Sequence, residues 1–406
     1  MTISVEPDSK YRLTVKKPSL LTLIVLISYG SIGAALFTPA IPALMDRFGV
    51  TASLAQLTVM LYLVGYSFGQ LIYSPIAKRY GRKPALYTGI GVSLVGYLLS
   101  AFSSPLNSFT LLVISRLIAA LGASAGLSLT FMIITDYFYE VHARKITAYT
   151  MLAFAIIPGV GIAVGGFLVA YLGWESCFYF LLLYGLFTLY LVYRLAETAL
   201  EKEKEATKWK KIFSAYRRDF KNPILLIFSF MIGISTSFVY LFAATAPIIA
   251  IRMMGISPDL FGLMNFIPAT GFFLGNFVAA RLSPFLKIKT MIKGGIALIG
   301  LGIGVFSFLY FGGWRTPLTL FYPVFIIYFG IPLFYSNAAV LATFRVPDKP
   351  NASSIMSFIN ISGAVVGLII IELLHGNPMI TLPAVFILGY CLMLFLFYKG
   401  KRLIED

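Results

Sequence analysis

Twelve apolar segments follow one another along the 406-residue chain, each long enough to form a membrane-crossing helix. An α-helix needs about 20 apolar residues to cross a hydrocarbon core roughly 30 Å thick. Charged or Pro/Gly-rich breaks separate the segments, which we number as spans 1 to 12: 19–45, 52–77, 84–103, 108–136, 145–171, 175–194, 222–250, 257–281, 291–311, 316–343, 352–373 and 378–398. The pattern predicts an all-α membrane protein with twelve transmembrane helices.

The composition supports a membrane protein and argues against several other classes. Apolar residues make up 59% of the chain and charged residues 12%, against about 45–50% and 25% in soluble domains. Two cysteines and two histidines are too few for a disulfide framework, a metal cluster or a histidine-based catalytic centre. The sequence has no G-x-x-x-x-G-K-[ST] motif, which argues against a nucleotide-driven pump. We therefore expect no enzyme activity, no cofactor and no metal.

The basic residues follow the same division of the chain. The two terminal segments and the connections after even-numbered spans, counted together with the adjoining span ends, contain 28 of the 32 Lys and Arg residues. Because cytoplasmic loops carry such an excess, we expect both termini to be cytoplasmic. The formal net charge of +16 then orients the protein in the lipid bilayer, and we expect no nucleic-acid partner.

The longest connection, residues 195–221, divides the chain into six spans and six spans. Its Lys/Trp/Phe pattern is typical of an amphipathic helix on the inner membrane surface, and a solvated linker is an equal alternative. The layout predicts two six-helix bundles, 1–194 and 222–406, joined by this cytoplasmic linker. Such a layout is typical of transporters whose halves move about a site at the membrane midplane.

Several motifs, in order along the chain, resemble those of the major facilitator superfamily. The segment GQLIYSPIAKRYGRKP between spans 2 and 3 resembles its loop signature G-x-L-x-D-R-x-G-R-K. Other segments resemble the bicyclomycin-resistance (Bcr/CflA) and multidrug facilitator branch of drug:proton antiporters: 62–70, 115–126, 134–136, 173–175, 246–251 and 271–282. The resemblance implies the major facilitator fold, the inner (cytoplasmic) membrane of a bacterium and a proton gradient as the energy source.

Two departures of the loop signature from the family pattern change its chemistry. Lys78 stands in place of the family's acid and Ser74 in place of its leading Gly, whereas these residues match: Arg79, Gly81, Arg82 and Lys83. In the family, the carboxylate is placed to meet the start of helix 11, where free N–H groups favour an anion. A lysine is repelled there, so we expect a weaker or differently latched inner gate, which a Lys78→Asp variant would test. Asp136, at the inner end of span 4, is predicted to pair with Arg79 or Arg82.

Arg116 is the most conspicuous polar residue within a span. It lies seven residues into span 4, roughly 10 Å below the outer boundary at 1.5 Å per residue, so its guanidinium should face the bundle interior. The resemblance matches it to the family's arginine associated with proton coupling, although Ala119 stands where the family's R-x-x-Q signature has Gln. The alternative is a structural clamp held by carbonyls and hydroxyls. A substrate with an anionic group would also supply a counterion.

Few carboxylates are available to carry a proton. Of the 16 acidic residues, four fall inside the spans, each near an end: Asp136, Glu175, Asp259 and Glu372. Glu372, close to His375 at the outer end of span 11, is one candidate for proton coupling beside Arg116, with a position in the membrane interface as the alternative. Asp136 is the other candidate, and a latch role is favoured for it.

Small residues at four-residue spacing occur in spans 5 and 8. Span 5 contains Pro158, Gly161 and Gly165, which resemble the helix 5 motif of antiporters, and span 8 contains Gly271 and Gly275. Such spacing allows close approach of two helix backbones. We expect spans 5 and 8 to pack across the two halves near the outer side, with packing inside one half as the alternative.

Aromatic and polar side chains within the spans predict a substrate cavity. The candidates lie in the spans that correspond to cavity-lining helices of the family, together with span 4: Tyr29, Tyr62, Tyr66, Gln70, Arg116, Tyr240, Asn265, Tyr335, Asn337 and Asn360. Weakly polar, tyrosine-rich walls suit amphipathic organic molecules better than sugars, which need more fixed hydrogen-bond partners.

The first hypothesis is therefore a monomeric secondary transporter that exports an amphipathic compound as protons enter. A transporter of a specific metabolite or siderophore, in either direction, is the alternative, and Arg116 without an evident acid partner favours it. A membrane receptor or enzyme predicts clustered Ser/His/Asp residues or a sizeable soluble domain. The longest polar stretch has about 27 residues, which is below what an independent core needs.

Overall fold

The computed structural model describes residues 17–138, 140–199, 202–208, 217, 220–283, 285–344, 349–374 and 376–405. Within them the chain forms helices in the order of the spans: α1 Leu20–Phe48, α2 Ala52–Tyr80, α3 Arg82–Phe102, α4 Phe109–Tyr137, α5 Glu140–Leu172, α6 Ser176–Arg194, α7 Pro223–Met253, α8 Pro258–Leu282, α9 Ile288–Phe311, α10 Pro317–Phe344, α11 Lys349–Leu373 and α12 Pro378–Glu405. Within the part of the chain that the structure describes, eleven are long and apolar enough to cross a membrane, and α5 includes a shorter apolar stretch, Ile156–Leu172. The predicted all-α architecture is confirmed.

Polar caps and a glycine explain where several helices begin and end. The hydroxyls of Ser19, Thr51 and Ser108 each accept a backbone N–H bond at the starts of α1, α2 and α4. The side-chain oxygen of Asn222 accepts two such bonds at the start of α7. These caps satisfy N–H groups that have no partner in a first helical turn. Gly81, with φ of 112°, separates α2 from α3 in a conformation that side chains disfavour.

Three helices are interrupted close to the same face of the protein. A 3₁₀ turn at Thr38–Ala40 breaks α1, a π-helix at Ile248–Met253 ends α7, and α8 is broken at Asn265. The basic face of the protein carries the α2–α3 connection and the segment after α6. We call the face with the three interruptions the opposite face, because it lies at the other end of the helices.

Glycines let neighbouring helices pack closely inside each half. A Cβ on Gly96 of α3 would lie 2.5 Å from the Cα of Ala119 on α4. Ala119 is fully buried, so a glutamine in its place would need space that the α3 backbone occupies. A small residue at position 119 therefore fits the close contact between α3 and α4.

The halves α1–α6 and α7–α12 contact each other mainly through α2 with α11 and α5 with α8. Midway along α2, the hydroxyl oxygens of Ser67 and Ser362 lie 3.1 Å apart. At the opposite face, Arg252 of α7 lies 2.6 Å from the carboxylate of Asp46 on α1. The halves are therefore closed against each other at that face.

The predicted packing of α5 on α8 is confirmed, but other residues form it. A Cβ on Gly262 would lie 3.0 Å from the Cα of Ala163, and one on Gly159 would lie 2.6 Å from the Cβ of Ala269. Gly166 also lies on this interface, against Gly262.

The glycines singled out from the sequence face their own halves, which corrects the prediction for them. Gly161 and Gly165 pack on α1, and Gly271 and Gly275 pack on α10. Successive residues of a helix point about 100° apart, so Gly165 faces α1 while its neighbour faces α8. Pro158 lies inside α5.

Candidate substrate and coupling site

Arg116 is fully buried where α1, α2 and α4 meet. Its Nη1 donates to the carbonyl oxygen of Gly33 at 2.9 Å, and its Nε donates to that of Thr58 at 3.4 Å. The rings of Phe37 and Tyr62 flank the guanidinium, with centroids 4.8 and 4.2 Å from Cζ. Carbonyl dipoles and ring faces therefore stabilise this charge, in agreement with the clamp interpretation.

Arg116 has no carboxylate partner within the described part of the chain. Its Nη2 also has no hydrogen-bond partner there. A buried positive charge without a counterion makes the surrounding helices electropositive, because a low dielectric screens it weakly.

Tyr29 and Tyr62 connect neighbouring helices of the same half. The hydroxyl of Tyr62 donates to the carbonyl oxygen of Gly30 at 2.9 Å, and the hydroxyl oxygens of Tyr29 and Ser93 lie 2.6 Å apart. Both tyrosines are fully buried in this conformation. The sequence did not predict the contact residues Phe37, Thr58 and Ser93. Phenylalanine, threonine and serine are common within apolar spans, and nothing in the neighbouring sequence indicates such contacts.

Polar side chains from both halves converge at the centre of the protein. The side chain of Tyr66 on α2 is close enough to those of Tyr240 on α7 and Tyr335 on α10 to interact with them electrostatically. The Nδ2 of Asn360 on α11 donates to the hydroxyl oxygen of Tyr335 at 3.2 Å. We call these four residues the interbundle cluster, and all four were predicted cavity residues.

Gln70 lies one helical turn from Tyr66 on the same face of α2. The exposed fraction is 1% for Tyr66 and 4% for Gln70. Three buried atoms have no hydrogen-bond partner within the described ranges: the Tyr66 hydroxyl, Nε2 of Gln70 and Oδ1 of Asn360. Leaving a buried polar group unpaired costs about 1–3 kcal/mol. A ligand that forms hydrogen bonds with these atoms would remove that cost.

Asn265 and Asn337 use their amides inside their own helices. Asn265 donates to the carbonyl oxygen of Phe261 at 2.8 Å, and Asn337 donates to that of Leu333 at 2.9 Å. Within a helix, a side chain that has a hydrogen-bond donor can bond the carbonyl oxygen four residues earlier. Residue type alone therefore did not separate these two asparagines from Asn360.

Glu372 lies next to the last residue of α11 at the opposite face. Its Oε1 accepts a hydrogen bond from the hydroxyl of Ser53 on α2 at 3.0 Å, so this bond joins the two halves. His375 lies outside the described residues. The proton-carrier role of Glu372 stays a prediction.

Asp136 and Arg82 form a two-point ion pair at the basic face. Nε and Nη2 of Arg82 lie 2.8 and 3.3 Å from the two carboxylate oxygens. Of the two predicted partners, the structure selects Arg82, whereas Arg79 donates to the hydroxyl of Thr207 at 2.6 Å. Asp136 lies one residue before the end of α4.

Glu197, which follows α6, is a functional candidate that the sequence analysis missed. Its carboxylate oxygens accept the backbone N–H bonds of Arg82 at 2.9 Å and Lys83 at 3.0 Å, the first two residues of α3. It therefore caps α3 and favourably opposes the helix dipole. A Cβ on Gly81 would lie 2.5 Å from Oε2 of Glu197. In sequence, Glu197 is one of several acids in a mixed-charge connection, with nothing to distinguish it.

The remaining loop residues bind the segment that follows α6. Nζ of Lys83 donates to the carbonyl oxygen of Tyr193 at 2.8 Å, and the carbonyl oxygen of Lys78 accepts the N–H of Glu203 at 3.0 Å. The effect of Lys78 on a gate at α11 stays a prediction. The surface helix is predicted over 195–221, of which residues 195–199 and 202–208 form no helix and residues 209–216 lie outside the described residues.

Comparisons with known proteins agree with this architecture. An uncharacterized transporter of Rickettsia felis is 27% identical over 251 residues, and the match spans 61% of each chain, less than two thirds of that relative. A bicyclomycin resistance protein homolog of Haemophilus influenzae is 25% identical over 387 residues, 92% of this chain and 93% of that one. The xylose transporter XylE from E. coli, in a partially occluded inward open conformation, superposes with a TM-score of 0.72 at 14% identity, covering 95% of this chain and 98% of that one.

The family model described as Major Facilitator Superfamily matches residues 21–371. This match covers most of the chain, from α1 to α11. The chain belongs to the major facilitator superfamily of membrane transporters.

Proposed function

We propose that this protein is a monomeric secondary transporter of a bacterial inner membrane that exports amphipathic small organic molecules in exchange for protons. Alternating access between the halves 1–194 and 222–406 moves the substrate. The basic face and both termini are cytoplasmic in this proposal, because loops rich in Lys and Arg remain on that side. The linker 195–221 then lies on the cytoplasmic side as well.

The interbundle cluster is the observation that carries the proposal. Its tyrosines and its amide come from α2, α7, α10 and α11 and form a weakly polar region among apolar helices. Such surroundings suit a molecule with apolar area and a few polar groups. Because the residues belong to both halves, a rocking motion would open the cluster to one face at a time.

Glu372 is the proposed coupling acid. Its hydrogen bond to Ser53 joins the halves while the opposite face is closed, and opening that face would break the bond. A carboxyl group whose surroundings differ between two conformations couples protonation to the conformational equilibrium. Arg116 supports the arrangement of α1, α2 and α4, and Asp136 is engaged by Arg82.

Transport of an anionic metabolite or siderophore is the second candidate function. The guanidinium of Arg116 without a carboxylate partner in the described ranges favours it. The rings of Phe37 and Tyr62 enclose that guanidinium, so an anion would reach it only after a rearrangement.

Inside-out vesicles with an imposed pH gradient test the proposal. With an acidic interior, wild type should accumulate an amphipathic drug, Glu372→Gln should lose the dependence on the gradient, and Arg116→Ala should lose transport. Drug movement independent of any gradient in wild type would contradict proton coupling. Unaltered proton dependence in Glu372→Gln would remove that residue from coupling while leaving transport intact. Gradient-driven movement of a labelled ferric chelate instead of the drug would select the second candidate.

A further inference from the structure

We propose that the interbundle cluster binds uncharged aromatic compounds with hydrogen-bonding groups and discriminates against lipophilic cations. This inference rests on the proposed transport function and specifies its substrate class. Two observations carry it: the unpaired polar atoms of the cluster and of Gln70, one helical turn from Tyr66, and the distribution of charge around them.

The unpaired atoms define the hydrogen bonds that a ligand should supply. The hydroxyl of Tyr66 and Nε2 of Gln70 are donors, and Oδ1 of Asn360 is an acceptor; all three are buried and unbonded within the described ranges. A carbonyl or hydroxyl oxygen would satisfy the donors, and an N–H or O–H group would satisfy the acceptor. None of the three protein groups carries a formal charge, so none supplies a counterion for an ionic ligand.

Carboxylates are absent from the middle of the described helices. Each acid that belongs to one of these helices lies within two residues of its end: Asp46, Asp136, Glu140, Asp259, Glu372 and Glu405. An organic cation in a low-dielectric site needs an anionic partner to offset its lost hydration. The described helices provide no such partner near the cluster.

The nearby fixed charge is positive. Arg116 packs on the ring of Tyr62, and that ring stacks on Tyr66 with centroids 6.4 Å apart. A cation bound at Tyr66 would therefore be repelled by the guanidinium. A bound anion is attracted only weakly by the Arg116 guanidinium, because the rings of Phe37 and Tyr62 shield the guanidinium from direct contact. An uncharged ligand avoids both costs.

Equilibrium binding to the purified full-length protein tests this charge preference. The probes are chloramphenicol, an uncharged aromatic amide with hydroxyl groups, and tetraphenylphosphonium, a lipophilic cation. Chloramphenicol should bind at least tenfold more tightly. Tyr66→Phe and Asn360→Ala, which each remove one hydrogen-bonding group, should weaken its binding by roughly threefold to tenfold.

Two substitutions that add a carboxylate provide the sharper test. Gln70→Glu and Asn360→Asp should each raise the affinity for tetraphenylphosphonium at least tenfold, because each supplies the missing anion. Having two variants keeps the test decisive if one fails to fold. Asn276→Asp is the matched control: its amide donates within α8 to the carbonyl oxygen of Phe272 at 2.9 Å, so its replacement should leave cation binding unchanged.

Transport of both probes into proteoliposomes separates this inference from the proposed function. If wild type binds and transports tetraphenylphosphonium as well as it does chloramphenicol, the charge preference is overturned but the transport function stands. Preferential chloramphenicol binding without movement of either probe would support the preference and contradict the transport function. A rise in cation affinity in Asn276→Asp equal to that in Gln70→Glu and Asn360→Asp would overturn the location of the site. Binding of neither probe would overturn the inference.

Discussion

Ser53 on α2 donates a hydrogen bond to Glu372 on α11 over 3.0 Å, and this bond links the two halves at the opposite face. Ser53→Ala removes the donor but keeps the carboxylate. We expect a smaller population closed at that face, with proton-dependent transport retained. Distances between spin labels at the exposed positions Leu54 and Leu374, measured by pulsed electron paramagnetic resonance, report this population.

The control for Ser53 is Ser307→Ala, because the hydroxyl of Ser307 bonds its own helix, at the carbonyl oxygen of Ile303. This variant should keep the wild-type distance distribution. An unchanged distribution in Ser53→Ala would show that the bond to Glu372 does not hold the halves together.

The ion pair between Asp46 and Arg252 provides a second link at this face. The two side chains are 69% and 45% exposed, so the pair contributes at most about 1 kcal/mol. Asp46→Arg and Arg252→Asp should each lower the closed population up to about fivefold, and the double reversal should restore it. The same spin labels measure the change, and high salt should reduce the difference. Failure of the double reversal to recover closure would contradict a direct interaction.

Arg116 should not tolerate lysine. An ammonium group cannot bond the carbonyl oxygens of Gly33 and Thr58 and also stack between two rings as a planar guanidinium does. Loss of a desolvated cation–π contact costs about 2 kcal/mol, so Arg116→Lys should lower the melting temperature in detergent and reduce transport at least tenfold. Arg281→Lys is the control, since this exposed arginine lies 5.3 Å from the ring of Phe277. Equal effects of the two substitutions would argue against a special role for Arg116.

Gly81→Ala should destabilise the connection between α2 and α3. The residue has φ of 112°, and its Cβ would lie 2.5 Å from a carboxylate oxygen of Glu197. Its ψ of 161° completes a backbone conformation that is almost exclusive to glycine. Strain of this kind costs about 1–3 kcal/mol, so the melting temperature should fall by several degrees. Gly91→Ala, inside α3 with no neighbouring atom within 4 Å of the added Cβ, should cause no loss. Equal melting temperatures for Gly81→Ala and wild type would contradict the contact with Glu197.

The contact between α5 and α8 can be tested by cysteine cross-linking. Cysteines at Gly159 and Ala269 should cross-link, because their Cβ atoms would lie within disulfide reach. Cysteines at Gly165 and Gly271 should not, because these residues face α1 and α10. The opposite result would show that Gly165 and Gly271, as predicted from the sequence, form the contact between α5 and α8.

The sequence alone determined the number, order and approximate limits of the helices. Hydropathy is a local property, and about 20 apolar residues in succession have few structures available inside a bilayer. The sequence also identified Arg116 as buried, since a guanidinium at that depth is strongly disfavoured in lipid. Four of the predicted cavity residues, Tyr66, Tyr240, Tyr335 and Asn360, come together across the halves.

Only the tertiary structure decided which face of each helix meets which neighbour. Gly165 and Gly166 are adjacent in sequence, yet one contacts α1 and the other α8, because a step of one residue rotates a side chain by about 100°. Asn337 and Asn360 are both asparagines within apolar helices, but one bonds its own helix and the other bonds α10. Glu197 reaches α3 from a connection more than 100 residues later. Such contacts depend on helix rotation and chain topology, which residue types and spacing along one helix do not encode.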